Sequence, residues 1–378
     1  MNCQAFKSNG DQCIVDAKYV VTSKYRYYCG RHIMSEYNFA NSTKYKLKDM
    51  SSISDIMLIQ TNKLIQNIKP SQVINNTIDM SNSINNEITE YINLEFDTNC
   101  IILDKINTSK KIRLYNFKIN SSDTSTYIIK IISDPELIDS LYYEYCMYQK
   151  IYEHPDTSET DNNKFVNIIT HNNKLLYHRL FKHWVFIVYE KYGEPITTKI
   201  LNCHSNGVNF TISQELLEQM FNIIQLLHSK SIVYPELTPS KFLINENNII
   251  KLANLYNTIL WSDIFNDAIE QKDLIDSNKS RSTELISFCS INYNNKKTTS
   301  RIDDFESLLY IIMYLKSIDL PWNNATSNTQ IRDCKIEFIN NPPHYLNSNI
   351  LEIIKIIRDN HFQQKPNYNK LKNLFIQL

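Results

Sequence analysis

Glycine is scarce in this chain: only four of the 378 residues are glycine, and none lies between Ile101 and Lys130. A loop whose backbone amides approach a phosphate closely depends on glycine, because side chains at its tip would stand in the way. The sequence therefore argues against a glycine-rich phosphate-binding loop in that stretch.

Net charge and long apolar runs are also absent. Forty Lys and Arg residues balance forty Asp and Glu residues, so no long-range field draws the chain to nucleic acid or to an anionic membrane. No apolar run approaches the roughly 18 residues that span a bilayer. The sequence starts Met1-Asn2-Cys3-Gln4 without an apolar signal core. We therefore expect an intracellular protein with no membrane partner.

Residues 1–36 carry four candidate zinc ligands, which are Cys3, Cys13, Cys29 and His32. The last two have C-x-x-H spacing, and Gly30 between them permits a tight turn. Three thiolates and one imidazole suit tetrahedral zinc, and a module this short has little core of its own. We predict a structural zinc site, with free thiols at a chain end as the alternative. The segment resembles small C…C…C-G-x-H modules at the start of large-DNA-virus proteins.

The same module is mildly basic, so nucleic-acid binding is a further class to weigh. Its Lys and Arg residues are too few to support that function, and we do not expect a nucleic-acid partner. All eight cysteines of the chain are scattered. In a reducing compartment, this favours thiols or metal ligands over disulfides.

Residues 37–95 are rich in Asn, Ser, Lys and Ile. Apolar residues at helical spacing predict two amphipathic helices on either side of Pro70. The apolar positions are Ile53, Ile56, Met57, Leu64 and Ile68 in the first, and Ile84, Ile88 and Ile92 in the second. These helices could dock on the next domain or on a partner, but a helical linker is the simpler interpretation.

Strands are predicted from about Cys100 onward. Runs of β-branched and aromatic residues occupy 101–103, 112–117, 127–132 and 185–189. Lys130 lies in the third run, and Glu144 follows fourteen positions later in a predicted helix. The fourth run leads into Tyr189-Glu190-Lys191-Tyr192-Gly193.

An apolar helix, a turn and a hairpin then follow in order. The helix covers 214–229, and the proline-punctuated turn is Tyr234-Pro235-Glu236-Leu237-Thr238-Pro239-Ser240-Lys241. Two short β-type runs at 242–245 and 249–252 predict a hairpin, and a loop starts at Asn254-Leu255-Tyr256. This order resembles the catalytic and metal-binding loops of protein kinases, H-R-D-x-K-P-x-N, a hairpin and D-F-G.

The resemblance becomes specific beyond residue 280. Four stretches resemble the casein kinase I motifs S-I-N, S-R-R-D-D-L-E-S-L, L-P-W and K-P-D-Y-x-x-L, and the implied fold is similar to that of the casein kinase I and vaccinia-related kinase group. They are Ser290-Ile291-Asn292, Ser300 to Leu308, Leu320-Pro321-Trp322 and Lys365 to Leu371. The likeness covers about residues 100 to 378. It implies an α+β, bilobal protein kinase-like fold with a β-rich N-lobe at 96–191 and a helical C-lobe at 192–378.

The resemblance also implies residue roles. Lys130 would hold nucleotide phosphates and pair with Glu144, although such a pair can equally brace a helix against the sheet. Tyr189 would be the gatekeeper, with Glu190 and Tyr192 at the hinge. A buried carboxylate, Asp304, would hold the backbone of the catalytic loop, which is a structural role.

The catalytic positions of this pattern carry altered residues. Glu236 stands for the base Asp, one methylene further out, and a displacement of about 1 Å can cost roughly a hundredfold in rate. Thr238 replaces a cation. Lys241 and Asn254 stand at the two magnesium-ligand positions, where a protonated amine cannot coordinate and an amide oxygen suits the ion poorly. The sequence thus argues against magnesium-dependent binding of ATP, with metal-independent nucleotide binding by Lys130 and Lys241 as the alternative.

Two function classes stay open. The first is a pseudokinase that works by binding a protein partner, in competition with active kinases. The second is a weakly active Ser/Thr kinase that transfers the γ-phosphate of ATP with Glu236 as the base. Abundant Asn, Ile, Lys and Tyr and scarce Ala resemble AT-rich genomes such as those of large DNA viruses. A viral protein of this kind would work in the host cytoplasm, the nucleus or the virion.

Overall fold

The computed structural model describes the backbone of residues 19–21, 26–28 and 44–46, and then residues 80–378 with gaps. The gaps are 109–111, 121, 123, 133–134, 153–163, 172–173, 176, 182–183, 208–209, 262–281 and 363. The chain divides into two compact units, one of residues 1–149 and 167–191 and the other of residues 150–166 and 192–378.

Three short strands precede the main domain. They are β1 (Tyr19–Val21), β2 (Arg26–Tyr28) and β3 (Lys44–Lys46), and they form an antiparallel sheet in the order β2-β1-β3. The zinc ligands predicted at Cys3, Cys13, Cys29 and His32 lie outside the described residues, as does the helix predicted at 53–68.

The described part of the first unit is built on a five-stranded antiparallel sheet in the order β4-β5-β6-β10-β9. Its strands are β4 (Ile101–Thr108), β5 (Ile112–Lys118), β6 (Tyr127–Ile132), β9 (Tyr177–Phe181) and β10 (Trp184–Glu190). The two-residue strands β7 (Thr170–His171) and β8 (Lys174–Leu175) pair with each other. The four predicted strand runs are confirmed, and β4 extends five residues beyond its predicted end at Leu103.

A helix covers each face of this sheet. The helix α1 (Met80–Phe96) inserts Ile88 and Ile92, both fully buried, into a core formed with Ile129, Ile131 and other strand residues. Successive side chains of a strand point to opposite faces, so Lys130 lies on the other face. There it meets the helix α2 (Pro135–Tyr152).

The predicted helix at Ile84, Ile88 and Ile92 is therefore present, and the structure shows the docked form rather than a free linker for residues 80–96. The loop that leaves α1 is held by Asn93, whose Oδ1 accepts hydrogen bonds from the Cys100 amide at 2.7 Å and the Thr98 hydroxyl at 3.0 Å.

The described part of the second unit is mainly helical. Its longer helices are α3 (Ile196–Ser205), α4 (Gln214–Ser229), α7 (Arg301–Leu315), α8 (Asn328–Asn340), α9 (Ser348–Asp359) and α10 (Tyr368–Ile376). Two short helices, α5 (Thr283–Phe288) and α6 (Ile291–Asn294), precede α7. Fourteen residues of α7 are buried, which is the pattern of a helix enclosed by its neighbours.

Short strands complete this unit. They are β11 (Glu194–Pro195), β12 (Ile232–Val233), β13 (Phe242–Ile244), β14 (Ile250–Leu252) and β15 (Ile259–Leu260). The predicted hairpin is confirmed as β13 and β14, with β11 beside β13, while β12 pairs with β15. No helix among the described residues is long and apolar enough to cross a membrane.

Candidate functional site

Asp304 of α7 holds the start of the turn of residues 234–241 through a hydrogen bond to its backbone. The Asp304 carboxylate is fully buried, and its Oδ2 accepts a hydrogen bond from the Tyr234 backbone amide at 2.7 Å. The same oxygen lies 3.0 Å from Nε2 of His228, at the end of α4. Burial raises the pKa of Asp304, and the bonds from His228 and Tyr234 oppose that rise. A buried carboxylate with two such partners holds the start of the turn in one position.

The last helix joins this network. The hydroxyl of Tyr368, the first residue of α10, lies 3.1 Å from Nδ1 of His228. Both ring nitrogens of His228 therefore have a hydrogen-bond partner, the Asp304 carboxylate at Nε2 and the tyrosine hydroxyl at Nδ1. A connected path of hydrogen bonds thus runs from α10 through His228 and Asp304 to the backbone of Tyr234.

The Glu236 carboxylate is half-buried and engaged on both oxygens. Oε2 accepts a hydrogen bond from Nδ2 of Asn257, and Oε1 accepts one from the hydroxyl of Tyr293. Asn257 lies in a 3₁₀ turn just before β15, and Tyr293 lies in α6. The residue at the predicted base position is therefore bound by two donors of its own chain.

The loop after the hairpin is also tied to the turn. The Tyr234 hydroxyl donates to the Asn254 carbonyl at 2.5 Å. Asn254 has the left-handed backbone conformation (φ 71°, ψ 58°), which asparagine adopts more readily than most residues. Leu255 next to it is fully buried, so the loop is held at the Asn254 carbonyl and at the Leu255 side chain.

The other two altered positions make local contacts. The Lys241 ammonium lies over the ring of Tyr256, 5.8 Å from its centroid, in a cation–π arrangement. The Thr238 hydroxyl lies 2.9 Å from that of Ser240, and Thr238 is buried. Glu236, Thr238, Lys241 and Asn254 all belong to the second unit.

The first unit holds the predicted lysine–glutamate pair. Nζ of Lys130 lies 2.8 Å from Oε2 of Glu144, and both side chains are buried. The pair joins β6 to α2 across one face of the sheet. Tyr189 is also buried, with its ring 5.9 Å from that of Tyr148 of the same helix.

The predicted hinge residues are divided between the units. Glu190 belongs to the first unit, where its Oε1 accepts from the Asn167 amide at 2.9 Å. Tyr192 belongs to the second, where its hydroxyl donates to the Ile249 carbonyl at 3.0 Å and its ring lies 4.5 Å from the Lys251 ammonium.

A buried charged cluster near α5 and α6 was missed from the sequence. Lys335 is fully buried, and its Nζ donates to the carbonyls of Ile286 at 2.7 Å and Cys289 at 2.5 Å. The ammonium also faces the rings of Tyr310 and Trp322, 4.9 and 5.4 Å from their centroids. Burial lowers the pKa of Lys335 to about 8.

Glu306 of α7 is the acidic member of this cluster. Its Oε1 accepts from the Ile291 amide at 2.8 Å and from the Tyr310 hydroxyl at 2.7 Å. Burial, and then the nearby Asp303, raise the pKa of Glu306 to about 7. The available signal was the presence of Asp303, Asp304 and Glu306 in an otherwise apolar helix.

The donor groups do not fit a magnesium ion at the positions where the kinase pattern places one. An ammonium at Lys241 repels a cation, and Asn254 offers a neutral amide oxygen. In the part of the chain that the structure describes, no three His, Cys, Asp or Glu side chains are grouped so as to hold a metal ion.

A β-sheet unit with a buried Lys–Glu pair, and a helical unit whose turn is held by a buried aspartate, together define a protein kinase-like fold of the α+β class. No family model matches the sequence. Among solved structures, the chain is similar to that of vaccinia related kinase 3, with a TM-score of 0.52 and 14% sequence identity. The match covers 73% of this chain and 85% of that chain. At this identity the likeness shows the fold alone.

Proposed function

We propose that this chain is a catalytically impaired protein kinase-like protein, a pseudokinase, which acts by binding a protein partner and competing with active kinases for it. The observation that carries the proposal is the state of Glu236, whose two carboxylate oxygens accept hydrogen bonds from Asn257 and Tyr293.

A general base must reach the proton that it removes within hydrogen-bond distance. At Glu236, a substrate hydroxyl would compete with two donors supplied by the chain itself. If the substrate displaced either donor from this partly buried carboxylate, the free energy of one charge-assisted hydrogen bond would be lost. The extra methylene of Glu236 shifts the carboxylate further from the position that the kinase pattern requires.

Charge neutralisation is the second requirement of phosphoryl transfer. Lys241 and Asn254 do not supply the anionic oxygens that bind magnesium. Lys241 is directed over the ring of Tyr256, which places a positive charge next to the loop that would have to carry the metal. These features act on the same transition state as the altered base, so their effects on the rate accumulate.

The intact Lys130–Glu144 pair fits a structural role in this proposal. It braces α2 against β6 at 2.8 Å in a buried setting, and this work needs no nucleotide. The fold is then retained as a binding scaffold.

The remaining parts of the proposal rest on the sequence. A structural zinc ion at Cys3, Cys13, Cys29 and His32 would hold the N-terminal module. An intracellular location, a viral origin and a protein partner of unknown identity belong to the same proposal.

The deciding experiment combines binding with catalysis. Purified protein is heated with and without ATP, each with and without magnesium, and labelled ATP is used to follow transfer to casein or to the protein itself. We expect no change in melting temperature and no transfer. The control for Lys130→Ala is Lys150→Ala, which removes the same charge from the last turn of α2.

The second candidate is a weakly active Ser/Thr kinase, which the retained carboxylate at Glu236 favours. Transfer of phosphate that disappears in both Glu236→Ala and Lys130→Ala, but not in the control, would establish this candidate and refute the pseudokinase proposal.

A further inference from the structure

Glu236 contacts two distant parts of the chain at once. One hydrogen-bond donor, Asn257, lies 21 residues later and the other, Tyr293, lies 57 residues later. These two donors stand near the two ends of the segment that connects the hairpin to α7. We propose that Glu236, Asn257 and Tyr293 form a clasp, in which one carboxylate holds both ends of this segment against the turn of residues 234–241.

A carboxylate is well suited to accept both of these hydrogen bonds. It has two acceptor oxygens at a fixed separation and no donor, so it can accept from an amide on one side and a hydroxyl on the other. Hydrogen bonds to an ionised acceptor are also roughly twice as strong as neutral ones. The Glu236 side chain is half-buried, which limits competition from water.

Each end of the segment has further bonds to its own surroundings. Near Asn257, β15 pairs with β12, and the Trp261 amide donates to the Ser231 carbonyl at 2.6 Å. Near Tyr293, the Ser290 hydroxyl accepts from the Tyr293 amide at 3.2 Å. Those bonds fix each end separately, whereas the Glu236 carboxylate contacts both.

The clasp deepens the proposed function and rests on it, because both assign the Glu236 carboxylate to hydrogen bonding and not to proton transfer. A carboxylate that accepts hydrogen bonds from Asn257 and Tyr293 is not available as a proton acceptor, so the same two bonds that hold the described ends of the segment also keep Glu236 from acting as a base. The clasp itself requires neither nucleotide nor partner.

Hydrogen exchange of the full chain, read by mass spectrometry, tests the clasp. In Glu236→Ala we expect exchange to accelerate about tenfold or more at both ends, because a bond to a charged group is lost at each. The reporters are the Thr258 amide at the first end and the Asn294 and Asn295 amides at the second, which donate to carbonyls within their own turns.

Two one-sided variants and a control sharpen the test. Tyr293→Phe keeps the ring and should accelerate exchange at the second end alone, and Asn257→Ala should do so at the first end alone. Glu246→Ala removes the same charge from an exposed position in the turn between β13 and β14, and should leave both ends unchanged. Exchange in the buried helix α7 reports on global unfolding and should stay unchanged in all four variants.

Unchanged exchange at both ends of Glu236→Ala overturns the clasp, and so does a change at one end only. If Glu236→Ala does not fold, unchanged exchange in both one-sided variants overturns it equally. The transfer assay is independent of these readings. An inactive protein with unchanged exchange refutes the clasp alone, whereas phosphate transfer that depends on Glu236 refutes the proposed function.

Discussion

Truncating Ile92 to alanine removes a fully buried side chain from the contact between α1 and the sheet of the first unit. Large-to-small changes of this kind cost about 2–5 kcal/mol, because transfer free energy is lost and a cavity remains. Leu94 lies two positions along the same helix and is 86% exposed. Leu94→Ala is therefore a matched control, and we expect it to change the free energy of unfolding by less than about 0.5 kcal/mol.

The assay is thermal unfolding of the full chain, with hydrogen exchange to locate the effect. A loss of about 3 kcal/mol lowers the melting temperature of a unit of this size by roughly 6–12 °C. Exchange should accelerate in β6 and β10, whose buried residues pack against α1, and should not change in α7. Equal, small effects of Ile92→Ala and Leu94→Ala would show that α1 contributes no packing energy, and would refute the docked arrangement.

Three further substitutions test the buried groups and the backbone of the second unit. Glu306 has a pKa of about 7 in the folded protein against an ordinary 4.5, so the folded state binds more protons between these values and its stability falls as pH rises through them. Glu306→Gln should reduce the loss of stability between pH 5 and pH 8 by on the order of 1–3 kcal/mol in urea titrations, and an unchanged pH dependence would contradict this. Lys335→Met removes a hydrogen-bond donor from the carbonyls of Ile286 and Cys289 and should lower the free energy of unfolding by about 1–3 kcal/mol. Lys355→Met at an exposed position should be nearly neutral in the same titrations. Gly193→Ala should lower the melting temperature more than Gly207→Ala. Both glycines have positive φ, but only at Gly193 would the new Cβ collide with a carbonyl of β13. Equal effects of the two substitutions would rule out the collision.

The regular elements of the site were predictable because their patterns are local. The strand runs, the hairpin and the helix at 214–229 each carry their own periodicity or turn residues. The docking of α1 was harder to predict from the sequence. The stripe of Ile84, Ile88 and Ile92 indicates a buried face, but it does not show which surface covers that face. A usable signal was present in β6, where the run Tyr127–Ile132 is apolar on both faces except for Lys130. Such a strand needs a covering layer on each side.

The state of Glu236 could not be predicted from its neighbours in the sequence. Its donors lie 21 and 57 residues away, and Asn and Tyr are among the commonest residues of this chain. No periodicity links such positions, so their meeting depends on the folded path of the whole segment. The same holds for Lys335, whose acceptor carbonyls belong to positions 49 and 46 residues earlier.

The carboxylates of α7 suggest why this scaffold tolerates so much chemical change at the turn. Asp303, Asp304 and Glu306 accept backbone amides of Ser300, Tyr234 and Ile291 respectively. Burial raises the pKa of each of the three, so each is costly as an ion. The cost is offset because each carboxylate accepts a hydrogen bond from a backbone amide at the start of a helix or just after a strand. Glu236 also links separate parts of the chain, but through the side-chain donors of Asn257 and Tyr293.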